Sequence, residues 1–314
     1  MAIKIVFFGT PEFVIPTLQE LIKNKNVELK YIVSMPDRPA GRGQLLQSPA
    51  PVLFAKENNV PYFQTENINK EVDFLKKLKD DSIDLFIVLA FSQFFKINTL
   101  SVPSIGCFNI HTSLLPKYRG SSPIQYALLN GETTTGVSIQ RMVKKMDAGD
   151  ICIQRQLAIA SDDHAESLSR KLSTECALAT NDLIKNICNH SLAFVAQDEK
   201  TVSFAKIIKK EDGYLNFKKE STTTIIRKFR AYYPWPGLYC FFDKKRVKIN
   251  QLSIETQISL PPGEYLFNNS RLFVGCMDGV VRLENIQLEG KKPQQDSLFI
   301  NGIKSQNWAF KINP

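Results

Sequence analysis

The sequence contains few of the side chains that bind metals or form disulfides. Its 314 residues include three histidines, which lie far apart, and six cysteines with no C-x-x-C pair. A zinc site needs three or four ligands at short, regular spacings, and cysteines scattered along an unsecreted chain are typical of free buried thiols. We therefore expect neither a metal site nor disulfides.

Long hydrophobic segments and a dinucleotide fingerprint are also missing. The longest apolar run, Ile83–Phe91, is broken by Asp84 and is far too short to cross a bilayer. Met1–Ile5 leads directly into apolar Val6–Phe8, so we expect no signal peptide and a cytoplasmic protein. No G-x-G-x-x-G follows a predicted strand, which argues against a nicotinamide cofactor.

Basic residues clearly outnumber acidic residues only in the C-terminal third. Residues 206–314 carry 18 Lys and Arg against 10 Asp and Glu, and they account for most of the net charge of +9. Such asymmetry is typical of a protein with a polyanion partner, whereas a solvated basic surface without a partner is the alternative. Charge alone leaves both interpretations open.

Apolar strand segments alternate with helical segments over the first part of the chain. The predicted strands include Ile3–Phe8, Val27–Ser34 and Ile83–Ala90, and helices are predicted at about 11–23, 51–58 and 69–79. This alternation predicts a mostly parallel, Rossmann-like sheet. From residue 222, one helix and several short strands predict a small β-barrel or sandwich. We place the domains at 1–204 and 205–314, with 200–213 as a polar connection.

Asn109 and His111 are the most informative pair of side chains. They lie on a predicted strand that ends just before a turn at Pro116. Residues i and i+2 of a strand point to the same side, so an amide and an imidazole project together, and we expect Cys107 to face away from them. Both groups can donate to the oxygen of a reacting carbonyl, where one donor is typically worth about 3 kcal/mol. A structural histidine at a strand end is the alternative.

A carboxylate beside His111 would complete such a site. Asp147, in Met146-Asp147-Ala148-Gly149-Asp150 between two predicted strands, is the best candidate. It would favour the charged imidazolium and accept a proton from an attacking amine. The alternative is an aspartate that only forms the turn.

Several segments resemble the folate-dependent formyltransferases. Asn109-x-His111 is followed by Ser113-Leu114-Leu115-Pro116-Lys117-Tyr118-Arg119-Gly120, which is similar to the family signature, and the Asp147 segment resembles the family's aspartate motif. Gly9-Thr10-Pro11-Glu12-Phe13, residues 36–43 and Pro234-Trp235-Pro236-Gly237 resemble the members that act on methionyl-tRNA. The resemblance spans nearly the whole chain.

The resemblance implies transfer of a formyl group from 10-formyltetrahydrofolate to the α-amine of methionyl initiator tRNA, without a metal. It implies that the catalytic residues are Asn109, His111 and Asp147. It implies that the folate site is lined by Ser113, Leu114, Leu115 and Pro116, together with the strand end Leu89, Ala90 and Phe91. A monomer is expected.

The resemblance also implies contacts with tRNA. Arg38 and the loop around Arg42 would approach the acceptor stem, and a basic, OB-like second domain would hold the outer side of the tRNA. The sequence departs from the family in this loop, because Gln44-Leu45-Leu46-Gln47 follows Gly43 where lysines are common. Fewer charges predict fewer phosphate contacts, and a flexible surface segment is the alternative.

Three other activities share parts of this pattern. A sugar-nucleotide formyltransferase or a 10-formyltetrahydrofolate hydrolase would contain the same Asn, His and Asp residues. A non-catalytic RNA-binding protein would keep the fold and the basic domain. The Arg42 loop and the basic C-terminal part argue against the first two, and the intact catalytic residues argue against the third.

Overall fold

A mixed sheet forms the centre of the N-terminal unit. The structure, a computed structural model, describes residues 2–40, 43–242 and 245–299, and contacts divide the chain into two units. The first contains 1–124, 133–159 and 168–206, and the second contains 125–132, 160–167 and the residues from 207 onward. The assignment of one domain to catalysis and the other to tRNA stays a prediction.

Seven of the described strands form the sheet of the first unit. They are β1 (Ile3–Phe8), β2 (Val27–Ser34), β5 (Tyr62–Gln64), β6 (Leu85–Val88), β7 (Gly106–His111), β9 (Thr134–Arg141) and β10 (Ile151–Ala158), in the order β10-β9-β7-β6-β1-β2-β5. The strands from β5 to β7 pair in parallel, and β9 and β10 pair antiparallel. The strand order reverses between β1 and β6, which is where open α/β sheets bind ligands.

Two short pairs of strands lie outside this sheet. A hairpin joins β3 (Arg38–Ala40) to β4 (Leu45–Gln47), and β8 (Arg119–Gly120) pairs in parallel with β11 (Phe204–Ala205). The second pair brings the chain around residues 204–205 close to the segment that follows β7.

Six α-helices of the described residues alternate with or follow the strands of this sheet along the chain, and strands that are apolar on both faces need helices to bury them. They are α1 (Ile15–Lys23), α2 (Ala50–Glu57), α3 (Val72–Asp80), α4 (Ile97–Leu100), α5 (Pro123–Leu129) and α6 (Ala165–Cys188). Phe74, Leu75 and Leu78 of α3 pack on one face of the sheet, against a cluster that includes Phe8 and Phe86. The first residues of α6 and most of α5 cluster with the second unit.

The second unit is an antiparallel β-domain that also contains the helix α7 (Thr222–Tyr232). Its described strands are β12 (Leu238–Phe242), β13 (Lys245–Glu255), β14 (Tyr265–Asn268), β15 (Arg271–Gly275), β16 (Val280–Leu288) and β17 (Gln294–Gln295). They pair in the order β12-β13-β16-β15-β14, with β17 beside β16. The ladders of the described residues do not include a pairing between β12 and β14, which would close the order into a barrel.

The predicted fold class is confirmed as a mostly parallel α/β sheet followed by a small β-domain. The predicted strand Ile83–Ala90 is shorter than expected, since β6 ends at Val88 and Ala90 has a positive φ of 51°. Within the described ranges, no helix is both long and apolar enough to cross a membrane.

Candidate active site

The carboxyl end of β7 carries Asn109 and His111. In the sheet, Asn109 lies beside Val88 of β6 on one side and Gln140 of β9 on the other, and His111 lies beside Ser138. The two side chains project to the same side of the strand, as their spacing predicts. The evidence is that both approach the carboxylate of Asp147.

The two ring nitrogens of His111 face different acceptors. Nε2 lies 2.8 Å from the main-chain oxygen of Tyr118, and Nδ1 lies 3.8 Å from Oδ2 of Asp147. A carbonyl oxygen only accepts, so Nε2 carries a proton and donates it. The residue is buried, with 6% of its surface exposed. Nδ1 is the ring nitrogen that faces the carboxylate.

Asp147 accepts hydrogen bonds from three donors. Asn109 Nδ2 donates to Oδ1 at 3.2 Å, Gln140 Nε2 donates to Oδ1 at 3.0 Å, and the main-chain N–H of Gly120 donates to Oδ2 at 2.9 Å. These bonds fix the orientation of the carboxylate. The structure therefore brings together the three residues that the sequence predicts to be catalytic.

Backbone geometry explains why glycines surround Asp147. Asp147 itself has a positive φ of 50°, a conformation that Asp adopts more readily than most residues. A Cβ at Gly149 would overlap the main-chain oxygen of Arg141, and a Cβ at Gly120 would meet the main-chain oxygen of Ala205. The main chain can pack this closely at the two positions beside Asp147 only because they lack side chains.

Gln140, Gln197 and Arg119 are site residues that the sequence analysis did not identify. Gln140 is 2% exposed and contacts Asp147 directly. Gln197 Nε2 lies 2.9 Å from the main-chain oxygen of Asp147, and its Oε1 accepts from Nε and Nη2 of Arg119 at 3.0 and 2.9 Å. Arg119 lies within a quoted motif, but nothing in the sequence indicates that its side chain is buried.

Glu199 is the outer end of this set of contacts. It accepts from Arg119 Nη2 at 2.8 Å and from Lys145 Nζ at 2.7 Å. The hydrogen bonds from Arg119 and Lys145 lower the pKa of the Glu199 carboxyl to about 2. Gln197 and Glu199 lie just before residues 200–213, the segment that the sequence predicts to be a connection.

The turn Ser113–Pro116, predicted to line the folate site, is held by Ser138. The Ser138 hydroxyl accepts from the Leu115 N–H at 3.0 Å and donates to the main-chain oxygen of Ser113 at 2.7 Å. Gln154 Nε2 donates to both Leu115 O and Ser138 Oγ at 3.0 Å. Ser113 and Leu115 are buried, whereas Leu114 and Pro116 are half-buried.

Leu89, Ala90 and Phe91 follow β6 at the point where the strand order reverses. Ala90 is exposed and Leu89 and Phe91 are buried, so the backbone of Ala90 is the accessible part of this segment. In the neighbouring turn, a Cβ at Gly9 would lie 2.9 Å from the Leu89 oxygen. Thr10 Oγ1 is buried there without a hydrogen-bond partner among the described residues. The turns after β1, β6 and β7 thus lie along one edge of the sheet.

Cys107 does not face away from the pair, and that expectation is wrong. Residues 107, 109 and 111 are two apart and share a face of β7. Cys107 lies deeper, in the same apolar cluster as Val88, the neighbour of Asn109 in the sheet. Burial raises the pKa of its thiol far above the ordinary value, so Cys107 is poorly suited to act as a nucleophile.

Arg38, one of the two predicted tRNA-binding residues, lies on β3 of the β3–β4 hairpin. The Arg38 side chain is 64% exposed, and its Nη2 is 3.8 Å from Oε1 of Glu66. Leu45 and Leu46 on the second strand are more than two-thirds exposed. Arg42 lies outside the described residues. In the part of the chain that is described, no group of three or more His, Cys, Asp or Glu side chains is arranged to hold a metal ion.

Two family profiles match the sequence, one for each part of the chain. The profile described as Formyl transferase matches residues 3–179, and the profile described as Formyl transferase, C-terminal domain, matches residues 207–304. The chain belongs to the formyl transferase family. The family resemblance predicted from the motifs is confirmed.

Relatives with similar sequences align along the whole chain. A methionyl-tRNA formyltransferase of Thermodesulfovibrio yellowstonii is 37% identical over 309 residues, which is 97% of each chain. A methionyl-tRNA formyltransferase of Geobacter metallireducens is 35% identical over 302 residues, which is 96% of each chain.

Solved structures share the fold at lower identity. The N-formyltransferase from Helicobacter canadensis, in complex with folinic acid and dTDP-3-aminofucose, has a TM-score of 0.68 at 20% identity, and the match covers 90% of this chain and 98% of that one. HypX from Aquifex aeolicus, in complex with tetrahydrofolic acid, has a TM-score of 0.65 at 15% identity. That match covers all of this chain and 51% of HypX, so the chain spans about half of its length.

Proposed function

We propose that the protein transfers a formyl group from 10-formyltetrahydrofolate to the α-amine of methionyl initiator tRNA. The observation that carries this proposal is the 35–37% identity to methionyl-tRNA formyltransferases over 96–97% of the chain. The second unit is included in these alignments and in the C-terminal family profile, which favours the same activity for the whole chain.

Asn109 and His111 supply the hydrogen-bond donors of the proposed reaction. As the amine attacks the formyl carbon, negative charge develops on the formyl oxygen, and preorganised donors stabilise that charge. Asn109 keeps one amide proton beyond the one directed at Asp147. His111 donates through Nδ1, because Nε2 is held by the Tyr118 oxygen.

Asp147 has two roles in this proposal. Its Oδ2 lies beside Nδ1 of His111 and stabilises the imidazolium. The carboxylate also accepts, directly or through water, the proton that the attacking amine loses. The transfer is direct and no acyl-enzyme forms. The leaving nitrogen is protonated by His111 or by water.

The folate co-substrate supplies the formyl carbon, and the turns at the sheet edge fit it. Ser113–Pro116 and Leu89–Phe91 follow neighbouring parallel strands, and the accessible backbone at Ala90 presents main-chain donors and acceptors to a planar ring. The buried, unpartnered Thr10 hydroxyl near this edge is a further polar group for a ligand.

The tRNA contacts are proposed for the β3–β4 hairpin and the second unit. Arg38 is exposed and only distantly paired with Glu66, so it is available to a phosphate. The C-terminal part carries the excess of Lys and Arg that a tRNA would neutralise. A cytoplasmic location is part of the same proposal, because translation initiation occurs in the cytoplasm. The protein is proposed to act as a monomer.

An assay with two acceptors tests the proposal. Purified protein is mixed with 10-formyltetrahydrofolate and either methionyl initiator tRNA or a dTDP-amino sugar. We expect formyl transfer to the tRNA-bound methionine and none to the sugar. Transfer to the sugar, or release of formate without either acceptor, would replace this function with one of the rival activities.

A further inference from the structure

The side-chain amide of Gln197 contacts the loop that carries Asp147 at two points. Its Nε2 lies 2.9 Å from the main-chain oxygen of Asp147 and 2.7 Å from that of Gly149. The same nitrogen lies 3.1 Å from Oε1 of Gln140, which accepts from the Gly149 N–H at 3.0 Å. One amide group therefore joins both ends of the turn around Asp147 to β9.

Arg119 fixes the orientation of this amide. Oε1 of Gln197 accepts two hydrogen bonds from the Arg119 guanidinium, at 3.0 Å from Nε and 2.9 Å from Nη2. A flipped amide would direct its oxygen at three acceptor oxygens and its NH2 at a guanidinium, so no alternative orientation satisfies both sides. The Arg119 side chain is fully buried, which strengthens these charge-assisted bonds.

Arg119 also reaches Asp147 by a second path. It precedes Gly120, whose N–H donates to Oδ2 of Asp147 at 2.9 Å. The main chain of β8 thus holds the carboxylate, while the Arg119 side chain, through Gln197, holds the main chain of Asp147. Both paths end on the residue whose carboxylate lies 3.8 Å from His111.

We propose that Gln197 and Arg119 are positioning residues that hold Asp147 in register with His111 and Asn109. The inference rests on the proposed function only for its catalytic consequence, because the contacts themselves are independent of substrate. Neither side chain touches the reacting atoms. A protein that lacks the Gln197 or Arg119 side chain still contains the Asp147 carboxylate, but the loop at 142–150 is no longer held and can move.

Two substitutions of similar size test this role. Gln197→Met fills the space without polar contacts, and Gln197→Glu keeps the contact with Arg119 but directs a carboxylate oxygen at three acceptor oxygens. Removal of the groups that orient metal ligands typically costs about 10- to 100-fold in activity, and Gln197 orients Asp147 in a comparable way. We expect a loss of this size in kcat for both variants, with the KM of each substrate changed less than about threefold. Gln156→Met, at an exposed position of β10, is the matched control.

Hydrogen exchange gives a readout that does not depend on activity. We expect the backbone amides of residues 147–149 to exchange at least about tenfold faster in both Gln197 variants than in the wild type or the control. A wild type that fails to formylate methionyl-tRNA while these exchange rates change would refute the proposed function but retain the positioning role.

Three results would overturn the positioning role. One is unchanged kcat and exchange in Gln197→Met, which would leave the amide without a function. Another is a change in KM alone, which would indicate a substrate contact. The third is failure of both variants to fold, which would make Gln197 a residue of the structural core.

Discussion

Nδ1 of His111 lies 3.8 Å from Oδ2 of Asp147, and the same carboxylate accepts a hydrogen bond from Asn109 Nδ2. An imidazole, an amide and a carboxylate from β7 and the β9–β10 loop therefore meet at one point at the edge of the sheet. The proposed acyl transfer to an amine uses this arrangement, because it combines donors for an oxyanion with an acceptor for a proton.

Replacement of Asp147 by Asn should remove the charge without disturbing the backbone, because Asn tolerates a positive φ as well as Asp does. The amide offers one acceptor oxygen where three donors converge. We expect kcat to fall about 10²- to 10⁴-fold, as for loss of a general base, and the pH profile of kcat to change shape. Asp150→Asn, in the same motif, is the control. Unchanged turnover and an unchanged profile would exclude the pairing with His111.

Ser138→Ala should act on the turn that follows β7. The substitution removes the acceptor of the buried Leu115 N–H and the donor to Ser113 O. Leaving such groups unpaired costs about 1–3 kcal/mol of unfolding free energy. We expect lower stability in denaturant unfolding and a higher KM for 10-formyltetrahydrofolate. The exposed Ser101→Ala should show neither effect, and an unaltered KM in Ser138→Ala would separate Ser113–Pro116 from the folate site.

Arg38→Gln should reduce the salt dependence of tRNA binding. If Arg38 contacts one phosphate, the slope of log Kd against log salt should become shallower by about one. Lys23→Gln is the matched control, since Lys23 is equally exposed and is also weakly paired, at 3.6 Å from Glu20. The measurement is a salt titration of methionyl-tRNA binding. Equal slopes for all three proteins would place the hairpin away from the tRNA.

Glu199→Gln should alter stability in a pH-dependent way. The pKa of Glu199 is lowered to about 2 in the folded protein by Arg119 and Lys145. A group with a lowered pKa stabilises the fold above its unfolded pKa, and this contribution is lost as the pH falls through the folded pKa. The wild type should therefore melt above Glu199→Gln near neutral pH, and the difference should shrink between about pH 4.5 and 2. A difference in melting temperature that stays constant over this pH range would show that the ionised Glu199 carboxylate does not stabilise the fold through its contacts with Arg119 and Lys145.

The local pattern predicts the elements of the fold well but not the register between distant ones. The bounds of β1 and β2 follow from apolar runs between turn residues, and they agree with the structure. Gln140 was not predicted because β9 pairs antiparallel with β7, and this pairing depends on tertiary structure. No periodicity distinguishes Gln197 in the segment after α6, although its amide contacts the Asp147 loop.

In the candidate site, too, local spacing is predictable from sequence, whereas contacts between distant segments are not. The spacing of Asn109 and His111 predicts their common direction, and the motif around Asp147 predicts a carboxylate nearby. The same two-residue spacing places Cys107 on their face of the strand, so the expectation that Cys107 faces away is wrong. The contact of His111 Nε2 with the Tyr118 oxygen cannot be predicted from sequence, and it leaves Nδ1 as the ring nitrogen available for the proposed reaction.

The most direct test of the central claim is the single-turnover rate of methionyl-tRNA formylation by the wild type and by Asn109→Ala, with both substrates saturating. Loss of one oxyanion donor typically costs about 10²- to 10³-fold in kcat. We expect formylation of the α-amine by the wild type, a loss of this size in Asn109→Ala, and the same Kd for folate in both. Equal rates in the two proteins would contradict the assignment of Asn109, His111 and Asp147 as the groups that carry out the transfer.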